Sequence, residues 1–426
     1  MRSERQVRVL FINDTARNGG PGRSLHSILK FLDPRAIHRS VVLPRPGPIA
    51  DLLARDGVAD EVRYEPGLVE NPIEPWSRPM QRGDYLAPPL RRGIRAVGNV
   101  GRLAGALSRL AFRVRRERFD LLYCNGTNAD FAGALVAAAT GAPALWHVRY
   151  TGLPSIARRP HRLLSAGSAV TRIVCVSNAA AGLFVHCREK VAVLHNGLDV
   201  EAFDPALVAG TLRDELGLPP GAVVFGSHGR VLRRKGYLEL IEAARLALEM
   251  LAPPLRERVF FVVVGDTPED FADDHVAECK LAARRAGLGD RFRMLGFRAD
   301  VRPLVADFDV AVVPSVYADP LPRSVLESMA LAKPVVAFGV GGVAEMLEDG
   351  TTGAIVPFTA DSTGVGASAQ AVQGLARSLL AYALDVGRRL RHGAAGRRRV
   401  VESFDARAHA RAVEGEIRSA CGKGPR

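Results

Sequence analysis

Short apolar runs rich in β-branched residues return along this chain with room for a helix after most of them, and this alternation restricts the possible folds more than any other feature. In the first half the runs are Val7–Ile12, Val41–Leu43, Asp120–Cys124, Ala144–Val148, Arg172–Ser177 and Val191–Leu194. In the second half they are Val223–Ser227, Val259–Gly265, Phe292–Leu295, Val310–Pro314, Pro334–Phe338 and Gly353–Val356. Unbroken hydrophobicity marks parallel strands covered on both faces, and parallel neighbours need a crossover, usually a helix. Two such βα series predict an α/β protein of two doubly wound, Rossmann-like domains, residues 1–200 and 201–400. The segment Asn196–Pro220, with Asn-Gly, Asp-Pro and Pro-Pro steps, reads as their connection. Residues 401–426 carry one more helical pattern, Asp405–Ala420, with no strand after it. Such sheets bind ligands beyond the carboxyl ends of their strands, so two of them facing each other are expected to form a cleft.

A length of 426 residues, 47% hydrophobic and 24% charged, suits two such cores and excludes a disordered chain. No stretch approaches the roughly 18 consecutive apolar residues of a membrane span, and Val9–Ile12 is too short for a signal peptide. A cytoplasmic protein is expected. The five cysteines, Cys124, Cys175, Cys187, Cys279 and Cys421, include no CxxC pair, which suggests neither a disulfide framework nor a thiolate metal site.

The net charge of +13 is uneven, since residues 1–190 hold 29 Lys and Arg against 15 Asp and Glu, while residues 191–426 hold 29 against 30. Only six of the 58 basic residues are lysines, so a well-placed lysine carries more information than any one arginine. The stretch Arg91–Arg118 holds nine arginines and one acid. At helical spacing, Arg91, Arg92, Arg95, Arg102, Arg109, Arg113 and Arg116 share one face, and Val97, Leu103, Leu107, Leu110 and Val114 another. Two readings follow: a surface helix packed on the N-terminal sheet, or a patch for an anionic membrane surface or acceptor. Phe112 is the one aromatic in the core of this stretch, and no nucleic-acid module accompanies it, so nucleic acid is not expected as a partner.

Two segments carry chemistry. Gly226–Gly236 (GSHGRVLRRKG) lies between a strand and a helix, where glycines let backbone amides approach an anion and Arg230 and Lys235 add full charges. It is either a diphosphate site or a solvated basic loop. In Val312–Ala330 (VVPSVYADPLPRSVLESMA), Asp319 and Glu327 stand on either side of a Pro-rich turn that enters a helix. Carboxylates accept paired hydrogen bonds from diols, so one can meet sugar hydroxyls and the other a ribose; the plain alternative is a helix cap and an exposed glutamate.

GR…KG, then PS…D-x7-E…MA, then PVVAFGVGGVAEMLEDGTTGAIVP (Pro334–Pro357), resembles the donor half of the family-4 retaining glycosyltransferases, which have the GT-B fold. In the first half, NGGPGRSL (Asn18–Leu25), WHVR (Trp146–Arg149) and VLHNGLD (Val193–Asp199) are similar to that family's glycine loop, histidine loop and interdomain strand. The resemblance implies a metal-independent retaining transfer, without cofactor, from a nucleotide sugar to a hydroxyl of a glycan, lipid-linked or small-molecule acceptor. It implies Arg230 and Lys235 at the donor diphosphate, Glu327 at the ribose, and Asp319 at hydroxyls of the moving sugar. It further implies Gly20 at the phosphates, Gly296, Phe297 and Arg298 near the base, and His147 near the reacting sugar. The usual first glutamate of the family is Asp319 here, and the usual Gly-Phe-Gly turn is Pro320-Leu321-Pro322. Proline has no N–H to offer, so the amides of Leu321, Arg323 and Ser324 are left as phosphate donors. An epimerase, a phosphorylase or a non-catalytic nucleotide-sugar binder remain alternatives. Asp307-Phe308-Asp309 spells a DxD, but its position against Val310–Val313 suggests a structural role.

Overall fold

The computed structural model describes residues 5–17, 19–68, 89–268 and 274–422, with backbone alone over 89–97. The chain divides into two compact units, Met1–Gly197 with Ala406–Arg426, and Leu198–Asp405. Each is built on one wholly parallel sheet.

In unit 1 the strands are β1 (Val7–Asn13), β2 (Ile37–Leu43), β3 (Glu61–Tyr64), β4 (Leu121–Asn125), β5 (Ala144–Val148), β6 (Val170–Cys175) and β7 (Val191–Val193). Their order is β3-β2-β1-β4-β5-β6-β7. The longer helices are α1 (Gly20–Phe31), α2 (Pro48–Arg55), α3 (Pro89–Glu117), α4 (Thr127–Thr140) and α5 (Ser155–Ala166). Alternate residues of a strand point to opposite faces. Val9 and Phe11 accordingly meet Leu25, Ile28, Ile49 and Leu53 of α1 and α2 on one face. Leu10 and Ile12 meet Leu110 and Val114 of α3 and Ala132 of α4 on the other. The last helix of the chain, α11 (Ala406–Ala420), places Val413 and Ile417 in the α1 face of this unit.

Unit 2 has β8 (Val223–His228), β9 (Val259–Val264), β10 (Phe292–Met294), β11 (Val310–Val313), β12 (Val335–Phe338) and β13 (Gly353–Val356), in the order β10-β9-β8-β11-β12-β13. Its longer helices are α6 (Tyr237–Glu249), α7 (His275–Arg285), α8 (Arg323–Ala330), α9 (Ala369–Leu384) and α10 (Val386–Ser403). Strand order reverses at β1/β4 in unit 1 and at β8/β11 in unit 2. Those two switch points are where a doubly wound sheet opens a crevice for a ligand.

The sequence-expected strands all form, and one more is present. β3 was not anticipated because it is a four-residue edge strand with two charges, partly or fully exposed along its length. Edge strands lack cover and therefore lack the apolar run that marks their neighbours. The expected Arg91–Arg118 helix is α3, and its apolar stripe enters the core through Leu110 and Val114. Arg109 is bonded to Glu65 at 2.6 and 3.0 Å, and Arg113 to Ser40 at 2.8 Å and to Glu61 and Glu117. Arg102 holds Asn99 and Arg115 the Ala139 carbonyl. Arg109, Arg113 and Arg115 tie α3 to its surroundings, while the Arg102 bond stays within the helix; these contacts support the packing reading of the stretch. The side chains of Arg91, Arg92, Arg95 and Val97, and residue Asn18, lie outside the described residues.

Candidate active site

The basic glycine loop follows β8 and leads into α6, while the Pro-rich turn follows β11 and leads into α8, so the two motifs meet at the unit 2 switch point. Their backbones are fastened together. The Val316 amide donates to the Arg234 carbonyl at 3.0 Å. Gly236 has φ +76°, and a Cβ there would stand 1.7 Å from the Pro314 carbonyl oxygen, so only glycine lets the loops come this close. The third motif completes the arrangement, since the Gly342 amide donates to the Asp319 carbonyl at 2.9 Å. At Gly341, with φ +60°, a Cβ would stand 2.2 Å from that same oxygen.

This scaffold brings Lys235 and Asp319 into an ion pair at 2.6 Å. The Tyr317 hydroxyl donates to the same carboxylate oxygen at 2.7 Å. Its ring lies under two cations, with the Arg234 guanidinium 4.7 Å and the Lys235 ammonium 5.2 Å from the centroid. Burial alone would push the Asp319 carboxyl up, but Lys235, the Tyr317 hydroxyl and Arg234 outweigh it and hold it below its ordinary value. Asp319 is therefore an anion fixed beside a fixed cation. Arg230 is exposed on the same loop.

Glu327 lies on α8 and is almost fully buried. Its carboxylate is held from both sides, by His228 Nε2 at 3.0 Å and by Arg323 at 3.1 Å. Leu321 is buried in the turn, and α8 begins after Pro322 with no side-chain cap, which leaves the Arg323 and Ser324 end of the helix as the polar terminus facing the turn. Phe297 is 61% exposed on the loop after β10. Arg298 beside it is engaged with Glu215 and with the Leu295 carbonyl, each at 2.6 Å. Gly296 accepts from the Gly265 amide at 2.9 Å, which ties this loop to the end of β9. Asp307 and Asp309 are occupied by the framework: Asp307 accepts from the Arg213 amide at 3.0 Å, and Asp309 from the Val224 amide at 2.8 Å and the Arg213 guanidinium at 2.7 Å.

Gly20 and His147 belong to unit 1. Gly20 opens α1 just after β1, with open space where a Cβ would lie. Asn13, Asn125 and His147 stand in register at the ends of β1, β4 and β5. Asn125 donates to Asn13 at 2.5 Å and accepts from Arg149 at 2.7 Å, and Arg149 also holds Asn196. His147 is fully buried, with Nδ1 against the Tyr123 hydroxyl and 3.4 Å from Arg149. A guanidinium can only donate, so Nδ1 accepts and the ring proton sits on Nε2. Burial, then Arg149, then His409 push His147 well below its ordinary value, so the ring is neutral.

The structure thus gathers Arg230, Lys235, Asp319, Leu321, Arg323, Ser324 and Glu327 around one switch point, and puts Gly20 at the other with His147 one strand further on, at the end of β5. It adds His228 and Tyr317, which the sequence did not single out. Tyr317 stands two residues before Asp319, and that spacing was the available signal; nothing local marks His228.

Two parallel-sheet units with loops of this kind are the α/β fold of the GT-B glycosyltransferases. The structure superposes on Anabaena Alr3699/HepE, solved in complex with UDP and glucose, with a TM-score of 0.76 at 23% identity over 97% of this chain and 100% of that one. Two family models match side by side, Glycosyltransferase Family 4 over residues 18–202 and Glycosyl transferases group 1 over residues 222–378. The chain belongs to the group 1, family-4 glycosyltransferases. An α-maltose-1-phosphate synthase of Mycobacterium tuberculosis is 35% identical over 220 residues, 50% of this chain and 53% of that protein. A UDP-Gal:α-D-GlcNAc-diphosphoundecaprenol α-1,3-galactosyltransferase of Escherichia coli is 26% identical over 61% of this chain and 66% of that protein. The matched stretch spans about half the length of the synthase. Among the described residues, no helix is long and apolar enough to cross a membrane.

Proposed function

We propose that the protein transfers a sugar from a nucleoside diphosphate to a hydroxyl acceptor with retention and without a metal ion. The observation that carries this is the fixed Lys235–Asp319 pair at the β8/β11 switch point, with Arg230 on the same loop and Glu327 one helix turn beyond. Arg230, Lys235 and the first amides of α8 take the diphosphate, Glu327 takes the ribose, and Asp319 takes sugar hydroxyls. As the bond from the anomeric carbon to the phosphate oxygen breaks, charge grows on the β-phosphate, and fixed cations there lower the barrier because they need no reorganisation. The acceptor hydroxyl adds to the same face and its proton passes to the leaving phosphate.

The UDP and glucose of the HepE structure support a uridine nucleotide and a hexose as first probes. The diphosphoundecaprenol in the galactosyltransferase's name supports a lipid-linked acceptor met at the cytoplasmic membrane face. The test is a thermal-shift panel of UDP, GDP, ADP and their hexose derivatives, because a ligand bound only by the native state adds about 2.7 kcal/mol of stability at a hundredfold excess over Kd. One base series should raise Tm in EDTA as well as in Mg²⁺, and NMR of the product should show the donor's anomeric configuration. No stabilisation by any nucleotide would sink the reading, and stabilisation only with added metal would sink its metal-independent part.

A further inference from the structure

Between Asp130 and Glu189 the sequence holds no acidic residue, while it holds Arg149, Arg158, Arg159, Arg162, Arg172 and Arg188. Part of this excess is absorbed inside unit 1, where Arg149 serves the buried asparagines and Arg172 pairs with Glu416. The arginines of α5 are not absorbed. Arg158, Arg159 and Arg162 are exposed, and they form no ion pair among the described residues. Among the described residues, Arg158 reaches a backbone carbonyl, that of Leu153, at 3.3 Å.

The same helix shows an unusual outer face. A helix packed on a sheet turns its apolar residues inward, and here His161 and Ser165 are the buried residues while Ile156 is 66% and Leu163 74% exposed. Ile156, Arg159 and Leu163 are spaced i, i+3, i+7, so they share one stripe, with Arg162 beside it. The neighbouring segment 182–186 adds Val185, 60% exposed. A shallow concavity lined by Leu153, Arg158, Arg162, Leu183, Val185 and His186 joins the two.

We propose that unit 1 docks on an anionic bilayer through the outer face of α5 and the adjoining segment 182–186, with Ile156, Leu163 and Val185 entering the headgroup layer and Arg158, Arg159 and Arg162 meeting lipid phosphates. Apolar side chains ringed by unpaired cations are what an interfacial helix presents to anionic lipid. A soluble polyanion would use the arginines and leave the isoleucine, leucine and valine without a role. A second copy would bring the same cations face to face. Every residue of this surface belongs to unit 1, and the proposal does not depend on the function proposed above.

The experiment is co-sedimentation of the purified full chain with vesicles of phosphatidylcholine, with and without phosphatidylglycerol. Binding should appear only with phosphatidylglycerol and weaken as salt screens the charges. Replacing Arg158, Arg159 and Arg162 together by Gln should lower the partition coefficient on the order of 100-fold. The Ile156→Ser, Leu163→Ser double variant should lower it on the order of 10-fold even at low salt. All five positions are exposed, and retention of the wild-type Tm checks that folding is intact. Three outcomes overturn the proposal: no binding to anionic vesicles by the wild type, unchanged binding by the arginine variant, or unchanged binding by the serine variant, which would make adsorption purely electrostatic. A wild-type dimer in sedimentation that the serine variant abolishes would likewise overturn it, by giving the face to a second copy.

Discussion

Both units gather polar side chains at the carboxyl ends of their central strands, yet the two gatherings are opposite in kind. In unit 2 they are charged pairs: Lys235 with Asp319, and Glu327 between His228 and Arg323. In unit 1 they are buried and mostly uncharged: Asn13, Asn125 and a neutral His147, with His409 across from it at 6.1 Å between ring centroids. The difference teaches what each centre is prepared for. An ion pair at a crevice is a pair of groups already oriented, each able to share its charge with an arriving phosphate or hydroxyl at little reorganisation. A buried neutral network orients a backbone and resists any added charge.

The largest effects are expected where a charge of unit 2 is removed. Lys235→Ala and Arg230→Ala should each slow release of nucleoside diphosphate from the sugar nucleotide by at least about 100-fold, as for other donors aimed at developing charge. Steady-state turnover near wild type in either variant would remove these residues from the diphosphate. Loss of Lys235 also leaves Asp319 buried without its cation, so this variant alone should melt earlier, and the added change Asp319→Asn should restore Tm.

A smaller loss is expected from Glu327→Gln, which gives up a charge-assisted hydrogen bond worth about 1.5–3 kcal/mol, or roughly 10- to 100-fold in affinity. It should weaken free nucleotide and sugar nucleotide alike, and spare a 2′,3′-dideoxynucleotide. His228→Ala should follow Glu327→Gln in this discrimination, because His228 holds the carboxylate in place. Asp319→Asn should weaken only the sugar nucleotide. Calorimetry that shows equal damage to free nucleotide from both carboxylate variants would merge the two roles.

In unit 1 the expected effect is on stability. Burial, helped by Arg149 and His195, pushes His409 down to about 3 from its ordinary 6.5. Between those values the unfolded chain binds a proton that the folded chain does not, so stability falls as pH drops from about 6.5 towards 3. The melting temperature should decline over that range, and His409→Leu should flatten the decline. An unchanged slope would place the acid-sensitive group elsewhere. Asp319 adds to unit 2 in the same direction, because its lowered carboxyl supports folding above the ordinary carboxylate range and that support is lost as pH falls through its own value.

The smallest expected change concerns α3. Arg113→Gln breaks pairs with Glu61 and Glu117 that are mostly shielded, between the exposed case of about 0–1 kcal/mol and the fully buried case of about 3–5 kcal/mol. The loss of unfolding free energy, read from urea denaturation as the midpoint shift multiplied by the slope m, should fall between those bounds. Vesicle binding should stay as it is, which would separate this helix from the surface of α5.

The sequence by itself determined the two parallel sheets, because burial on both faces is written into each strand as an unbroken apolar run and needs no knowledge of its neighbours. It determined the glycine loops as well, since Gly236 and Gly341 stand where no side chain fits. The short range of these signals is the reason they were legible. Charge pairing has no such local signature. Lys235 and Asp319 are 84 positions apart, His228 and Glu327 are 99 apart, and Arg113 and Glu61 are 52 apart. Only the folded chain decided that Arg109 and Arg113 of α3 are spent on internal carboxylates while Arg158, Arg159 and Arg162 of α5 meet none among the described residues, because a charge is neutralised by what lies a few ångströms away in space, and that distance is set by the whole path of the backbone.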